Sequence, residues 1–325
     1  MTRLQLERQQ VFVYLAAVAA GLLSGILMPH WAGTFDTLLW PALGLLLFVT
    51  FTQVPLTRVT EAFRDRRFMA AMLTGNFLVV PLIVAGLLLL LPDDPAIRLG
   101  VLLVLLVPCT DWFITFAHLG YSDTPLAIAS TPVNLLIQIA LLPIYLWVFM
   151  GDAFLPLLSA DRIVTVIAGL IVLPLAAAWL IERWAERKAD RSAAVEKLAA
   201  LPVPLLAIVV FLIAGSQVHA VADALPWMGR VIGLFIAFLM LAALAGAATA
   251  RLFGLPPQAA RTLIFSLGTR NSFVVLPLAL ALPPQWATAA IVIVVQSLVE
   301  LFGMIVYLRL VPRYLAPETG VPRSG

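Results

Sequence analysis

The sequence predicts an all-α polytopic membrane protein of about ten transmembrane helices, arranged as two inverted repeats of five. Three observations predict it. Apolar runs long enough to cross a hydrocarbon core recur along nearly the whole chain, basic residues gather in alternate loops, and the fourth and ninth runs are broken by polar residues at matching places. Of 325 residues, 62% are hydrophobic and 11% charged, and the mean hydropathy is +1.05. A water-soluble domain has no means of hiding so much apolar surface, which sets soluble enzymes aside.

Each span is an apolar stretch between breakers, and a crossing takes about 20 helical residues. The first is placed over 11–28. Arg3 and Arg8 precede it as in a signal peptide, but the run continues through Leu22, Leu23, Ile26 and Leu27 to Pro29, which predicts a retained span. Further spans follow at 37–54, 68–91, 98–118 and 126–150, closing a first repeat over 1–150. The second half places spans at 160–182, 202–219, 230–250, 259–281 and 285–309. In domain terms, 151–201 holds the sixth span and a charged linker, 202–312 completes the second repeat, and 313–325 is a tail.

Positive charge retained on the cytoplasmic side sets orientation. Arg58, Arg64, Arg66 and Arg67 follow the second span, Arg183, Arg187, Lys188, Arg191 and Lys197 the sixth, Arg251 and Arg261 the eighth, and Arg309, Arg313 and Arg323 the tenth. Both termini are therefore expected in the cytoplasm and the chain in the cell membrane. The net charge of +3 and pI of 9.3 reflect this loop asymmetry and argue for a lipid partner, not nucleic acid. Trp31, Trp40, Trp147, Trp179, Trp184, Trp227 and Trp286 fall near predicted boundaries, as an aromatic belt would, and His30, His118 and His219 fall at span ends.

An odd number of spans per half makes the second half run in the opposite sense. The fourth span is interrupted by Pro108-Cys109-Thr110-Asp111 and the ninth by Gly268-Thr269-Arg270-Asn271-Ser272. Asn134 and Gln138 in the fifth span, and Gln296 and Glu300 in the tenth, are each spaced i, i+4 and so share a helical face. Interrupted helices at matching positions of inverted repeats point to a transport site.

Asp111, Arg270 and Glu300 are the ionisable residues expected deep in the bilayer. Such groups cost about 2.5–3.5 kcal/mol each on insertion scales and therefore face a cavity or a partner. Asp111 and Arg270 form either part of a substrate site or a structural ion pair. Pro108 is either a simple kink or part of a true break. Cys109, the one cysteine, excludes an intramolecular disulfide and a CxxC metal site; its thiol is either a small apolar filler or a ligand for a thiophilic species. Glu300 is either a proton carrier or a hydrogen-bonded partner of Gln296. Asn134, Gln138 and Gln296 serve either an ion or helix association. No pattern calls for a cofactor.

At these motifs the chain resembles the arsenical resistance-3 family of arsenite efflux permeases, within the bile acid/sodium symporter superfamily. The resemblance rests on Pro108-Cys109-Thr110-Asp111-Trp112, on Arg270-Asn271-Ser272-Phe273-Val274-Val275-Leu276-Pro277-Leu278-Ala279, and on Gln296-Ser297-Leu298-Val299-Glu300-Leu301. It implies a panel domain of spans 1, 2, 6 and 7 and a core domain of spans 3–5 and 8–10, with unwound helices 4 and 9 crossing in the core. It also implies export of arsenite, in some members antimonite, in exchange for protons. Cys109 and Glu300 match the family's required cysteine and glutamate. Better-known members carry Arg-Cys-Ile-Ala-Met where this chain has Pro-Cys-Thr-Asp-Trp. The resulting expectation puts substrate on Cys109, Asp111, Arg270, Asn271 and Ser272, with Cys109 binding the transported arsenic as a metalloid. Glu300, Gln296, Asn134 and Gln138 serve the coupling ion. The alternative is a sodium-coupled symporter of an organic anion, using the same oxygen-bearing side chains as a sodium cage. A membrane sensor and a membrane enzyme rank below both, since no signalling domain or nucleophile–base pair is evident.

Overall fold

A computed structural model of the chain describes residues 3–54, 64–110, 112–151, 167–185, 191, 195 and 197–316. The described residues are almost entirely helical. Helix α1 (Arg3–Leu27) ends before Pro29, and α2 (Ala32–Phe51) follows after a single 3-10 turn, with Pro41 inside it. Asp65 starts α3 (Arg66–Thr74) by accepting the Phe68 N–H at 2.9 Å. A π turn at Gly75–Val79 joins α3 to α4 (Val80–Leu88), so that Arg66–Leu88 forms one continuous apolar span. Asp94 caps α5 (Pro95–Leu105) through the N–H groups of Ala96 and Ile97, with Pro95 in the first turn, where its missing N–H costs nothing. Helix α6 (Trp112–Leu119) and the long α7 (Thr124–Met150) complete the first half; Asp123 caps α7, and Gly151, at φ +56, closes it.

In the second half a π turn at Ile167–Val172 leads into α8 (Leu173–Ala185), followed by α9 (Pro202–Ser216) and the 35-residue α10 (Val218–Leu252). Helices α11 (Pro257–Gly268) and α12 (Ser272–Leu280) are separated by three residues, and α13 (Ala287–Leu310) ends the described bundle. Helix α10 begins well before the expected residue 230. Alanines at 220, 222 and 224 favour helix, and Pro226 is absorbed inside it. The start of the expected sixth span, residues 160–166, lies outside the described residues.

Among the described residues, five helical stretches are long and apolar enough to cross a bilayer: Pro29–Phe51, Arg66–Leu88, Thr124–Met150, Ala224–Leu252 and Pro284–Arg313. Phe12–Leu27, Pro95–Leu105 and Pro202–Ser216 are shorter apolar helices. Leu82, Leu180 and Leu244 lie exposed on helix faces, a pattern suited to acyl chains. The chain is thus a multi-pass helical membrane protein.

Helix α1 packs on α9, α9 on α2, and α2 on α8; a second set joins α5 to α13, α10 to α11 and α13, and α12 to α13. Lipid provides little hydrophobic drive between helices, so close approach must come from small residues. Gly21 and Gly25, one turn apart on α1, face Phe211, Ala214 and Gly215 of α9; a Cβ on either glycine would overlap a backbone carbonyl. Gly21→Leu is expected to lower stability by about 1–3 kcal/mol through overpacking of this seam. A melting temperature in detergent equal to that of the wild type would show that the α1–α9 approach tolerates bulk.

Candidate functional site

The site begins with two failures of helix. Leu105 ends α5 and Trp112 starts α6; Gly268 ends α11 and Ser272 starts α12. The two breaks meet as an antiparallel bridge centred on Pro108 and Arg270. The Cys109 N–H donates to the Thr269 carbonyl at 3.1 Å and the Asn271 N–H to the Val107 carbonyl at 2.8 Å. In such a pair the N–H groups of the central residues point away from each other. Pro108 fits because it has no N–H to lose. The Arg270 N–H, pointing outward, donates to Glu300 Oε2 at 2.8 Å. The backbone N–H groups of Cys109, Arg270 and Asn271, freed by the breaks, are thereby satisfied within protein, as a bilayer requires.

Arg270 lies at the centre, with a relative exposure of 2%. Its Nη1 donates to the carbonyl of Leu105 at 3.2 Å. Its Nη2 donates to the carbonyls of Ser266 and Leu267, both at 2.8 Å, and to Asn76 Oδ1 at 2.9 Å. One guanidinium therefore gathers the carbonyl ends of both leading half-helices, α5 and α11, where the helix dipole is negative. The Phe238 ring lies 5.6 Å from the guanidinium carbon. The remaining donor, Nε, is buried and has no hydrogen-bond partner.

A second network runs along α12 and α13. Ser272 donates to Gln296 Oε1 at 2.9 Å, and Gln296 Nε2 donates to Glu300 Oε2 at 2.6 Å. The i, i+4 spacing of Gln296 and Glu300 makes this direct contact possible. Glu300 is 1% exposed; Oε2 accepts from both Gln296 and Arg270, while Oε1 has no hydrogen-bond partner. Asn271 caps α12 by accepting the Val274 N–H and reaches back across the crossing to Thr110 Oγ1 at 3.1 Å.

Cys109, Arg270, Asn271, Ser272, Gln296 and Glu300 thus come together at one crossing. Asp111 lies outside the described residues, and every hydrogen bond described for the Arg270 guanidinium goes to a backbone carbonyl or to Asn76. Asn134 and Gln138 are buried on α7, but their amide atoms form no hydrogen bond with a described residue and do not join the crossing through one. Cys109 is buried and is not in a disulfide. Among the described residues no three His, Cys, Asp or Glu side chains converge, so a thiophilic ligand here would take one sulfur plus oxygens.

Sequence reasoning passed over Asn76. It sits in the π turn between α3 and α4, fully buried, accepting from Arg270 and donating to Ser266 Oγ at 2.9 Å. π turns inside helices frequently mark functional sites. A lone asparagine within the apolar run 68–91 was the available signal. Also unforeseen is an aromatic stack at the start of the two trailing half-helices. Trp112 lies parallel to Tyr14 of α1, with centroids 6.0 Å apart, and edge-on to Phe273 at 5.0 Å.

Membrane helices broken at a shared crossing, with polar side chains and helix ends turned inward, define the class of secondary carriers. The sodium bile acid symporter family matches residues 40–224, more than half of the chain, and the protein belongs to that family. No curated protein sequence matches it.

Proposed function

We propose that the protein exports arsenite from the cytoplasm in exchange for protons, with antimonite as a further substrate. The observation that carries the reading is the position of Cys109: a single thiol within the break of α5 and α6, at the crossing with α11 and α12. Arsenous acid is a neutral trihydroxide. The Cys109 sulfur forms a bond to arsenic while one As–O bond breaks; the thiol proton and the departing hydroxyl leave as water. The reverse step, with water returning, releases arsenous acid on the other side. Asn271, Ser272 and Asp111 hold the remaining hydroxyls, and Arg270 acts through its charge, because Nη1 and Nη2 are held by protein oxygens.

Glu300 is the proposed proton carrier. It touches the crossing through the Arg270 N–H, so its protonation state bears on the geometry there. Asn134 and Gln138, buried on α7 with unpartnered amides, are proposed to serve the coupling ion as well. Protonation and substrate move the protein only through different affinities for its two states. In this reading α1, α2, α8 and α9 form a panel and the remaining helices a core, in two inverted five-helix repeats with both termini cytoplasmic. The packing of α1 on α9, α9 on α2 and α2 on α8 supports the division.

A second reading, sodium-coupled uptake of an organic anion, is favoured by a cavity of about 120 Å³ between α1, α9, α10 and α13. Its walls, including Leu22, Ile213, Met228 and Leu298, are apolar. Everted membrane vesicles separate the two. Arsenite is expected to accumulate in vesicles with an acidic lumen and to do so without sodium. Flux that follows a sodium gradient, carries a hydrophobic anion and ignores arsenite would replace the first reading with the second.

A further inference from the structure

The oxygen atoms around Arg270 have the composition of a cation site. Four of them converge on one positive charge: the carbonyls of Leu105, Ser266 and Leu267 and the side-chain oxygen of Asn76. Three are main-chain carbonyls at the ends of half-helices, the groups with which carriers hold a sodium ion at an unwound crossing. Hard cations select all-oxygen surroundings of this kind. The fourth oxygen is fixed by a bond on its other side, since the Asn76 amide nitrogen donates to Ser266 Oγ. Nothing about the cage is specific to a guanidinium. Among the described residues it has no carboxylate forming the paired, parallel hydrogen bonds that usually hold arginine, and Nε is left without a partner.

We propose that Arg270 is a tethered cation standing where a coupling sodium ion would otherwise bind, and that removing it exposes a latent sodium site. The proposal rests on the reading of the chain as a coupled carrier. A guanidinium keeps its charge at every physiological pH and cannot leave. The positive charge that holds the ends of α5 and α11 together is then permanent, and sodium has nothing to add. Arg270 is on this account the residue that determines the coupling ion, acting by occupying the cage.

The test needs no substrate, so it stands apart from any failure of arsenite transport. Purified wild type, Arg270→Gln and Arg270→Lys are melted in detergent in sodium chloride and in choline chloride at equal ionic strength. The neutral Arg270→Gln protein is expected to be less stable in choline and to gain several degrees in sodium, saturating with concentration, because an ion that binds the folded state alone raises its melting temperature. Wild type and Arg270→Lys, which keep a cation in the cage, are expected to melt alike in both salts. A sodium shift in the wild type or in Arg270→Lys overturns the proposal, because the cage would then not be the site. No sodium shift in Arg270→Gln, or failure of that variant to fold in either salt, overturns it equally.

Discussion

Arsenite export by Cys109→Ser is expected to fall at least about a hundredfold, equivalent to about 2.8 kcal/mol, while the helical fold survives. The crossing uses the backbone of residue 109, whose N–H bonds the Thr269 carbonyl, and serine keeps that bond. The side chain is buried, and a serine hydroxyl is smaller than the thiol it replaces. What serine removes is the soft donor, and arsenic prefers sulfur to oxygen for the same reason soft metals do. Resistance of cells to arsenite, at matched amounts of protein, reads the effect. Full resistance in Cys109→Ser cells would end the thiol mechanism and leave the oxygen-bearing side chains as the whole site.

The second large effect concerns Glu300. In Glu300→Gln the amide oxygen takes over both hydrogen bonds now made to Oε2, from the Arg270 N–H and from Gln296 Nε2. The variant therefore keeps the joint between α12 and α13 but has no proton to exchange. Vesicles bearing it are expected to lose arsenite accumulation driven by a pH gradient while still equilibrating arsenite down its own gradient. The amide NH2 replaces Oε1, an atom without a partner, at a stability cost of about 1–3 kcal/mol if that donor stays unsatisfied. Accumulation by Glu300→Gln vesicles that continues to track an imposed pH gradient would remove the carboxylate from coupling.

These expectations were partly legible in the sequence because broken membrane helices announce themselves. Polar residues at 109–111 and 269–272 stand out against apolar runs, and the i, i+4 spacing of Gln296 and Glu300 already implied a contact that the structure makes at 2.6 Å. The register of the crossing was not legible. Nothing local says that Pro108 faces Arg270, since the pairing joins segments about 160 residues apart in the chain. The partners of Arg270 were hidden for another reason: three of the four acceptors are main-chain carbonyls, which every residue carries. Asp111, the charged partner the sequence offers for Arg270, lies outside the described residues. Helix length is misread at α10, which extends past its expected start at residue 230 back to Val218, through a segment that carries alanines at 220, 222 and 224.

The aromatic stack has a practical consequence. The protein has eight tryptophans, and seven are exposed or half-buried; Trp112, 8% exposed, is the buried one. It lies between Tyr14 on α1 and Phe273 on α12. An indole shielded from aqueous quenchers and clasped between two rings emits differently from one at a lipid headgroup. The crossing therefore carries its own optical label, and a slide of α1 past the crossing would register in the colour and lifetime of that one fluorophore without any dye attached.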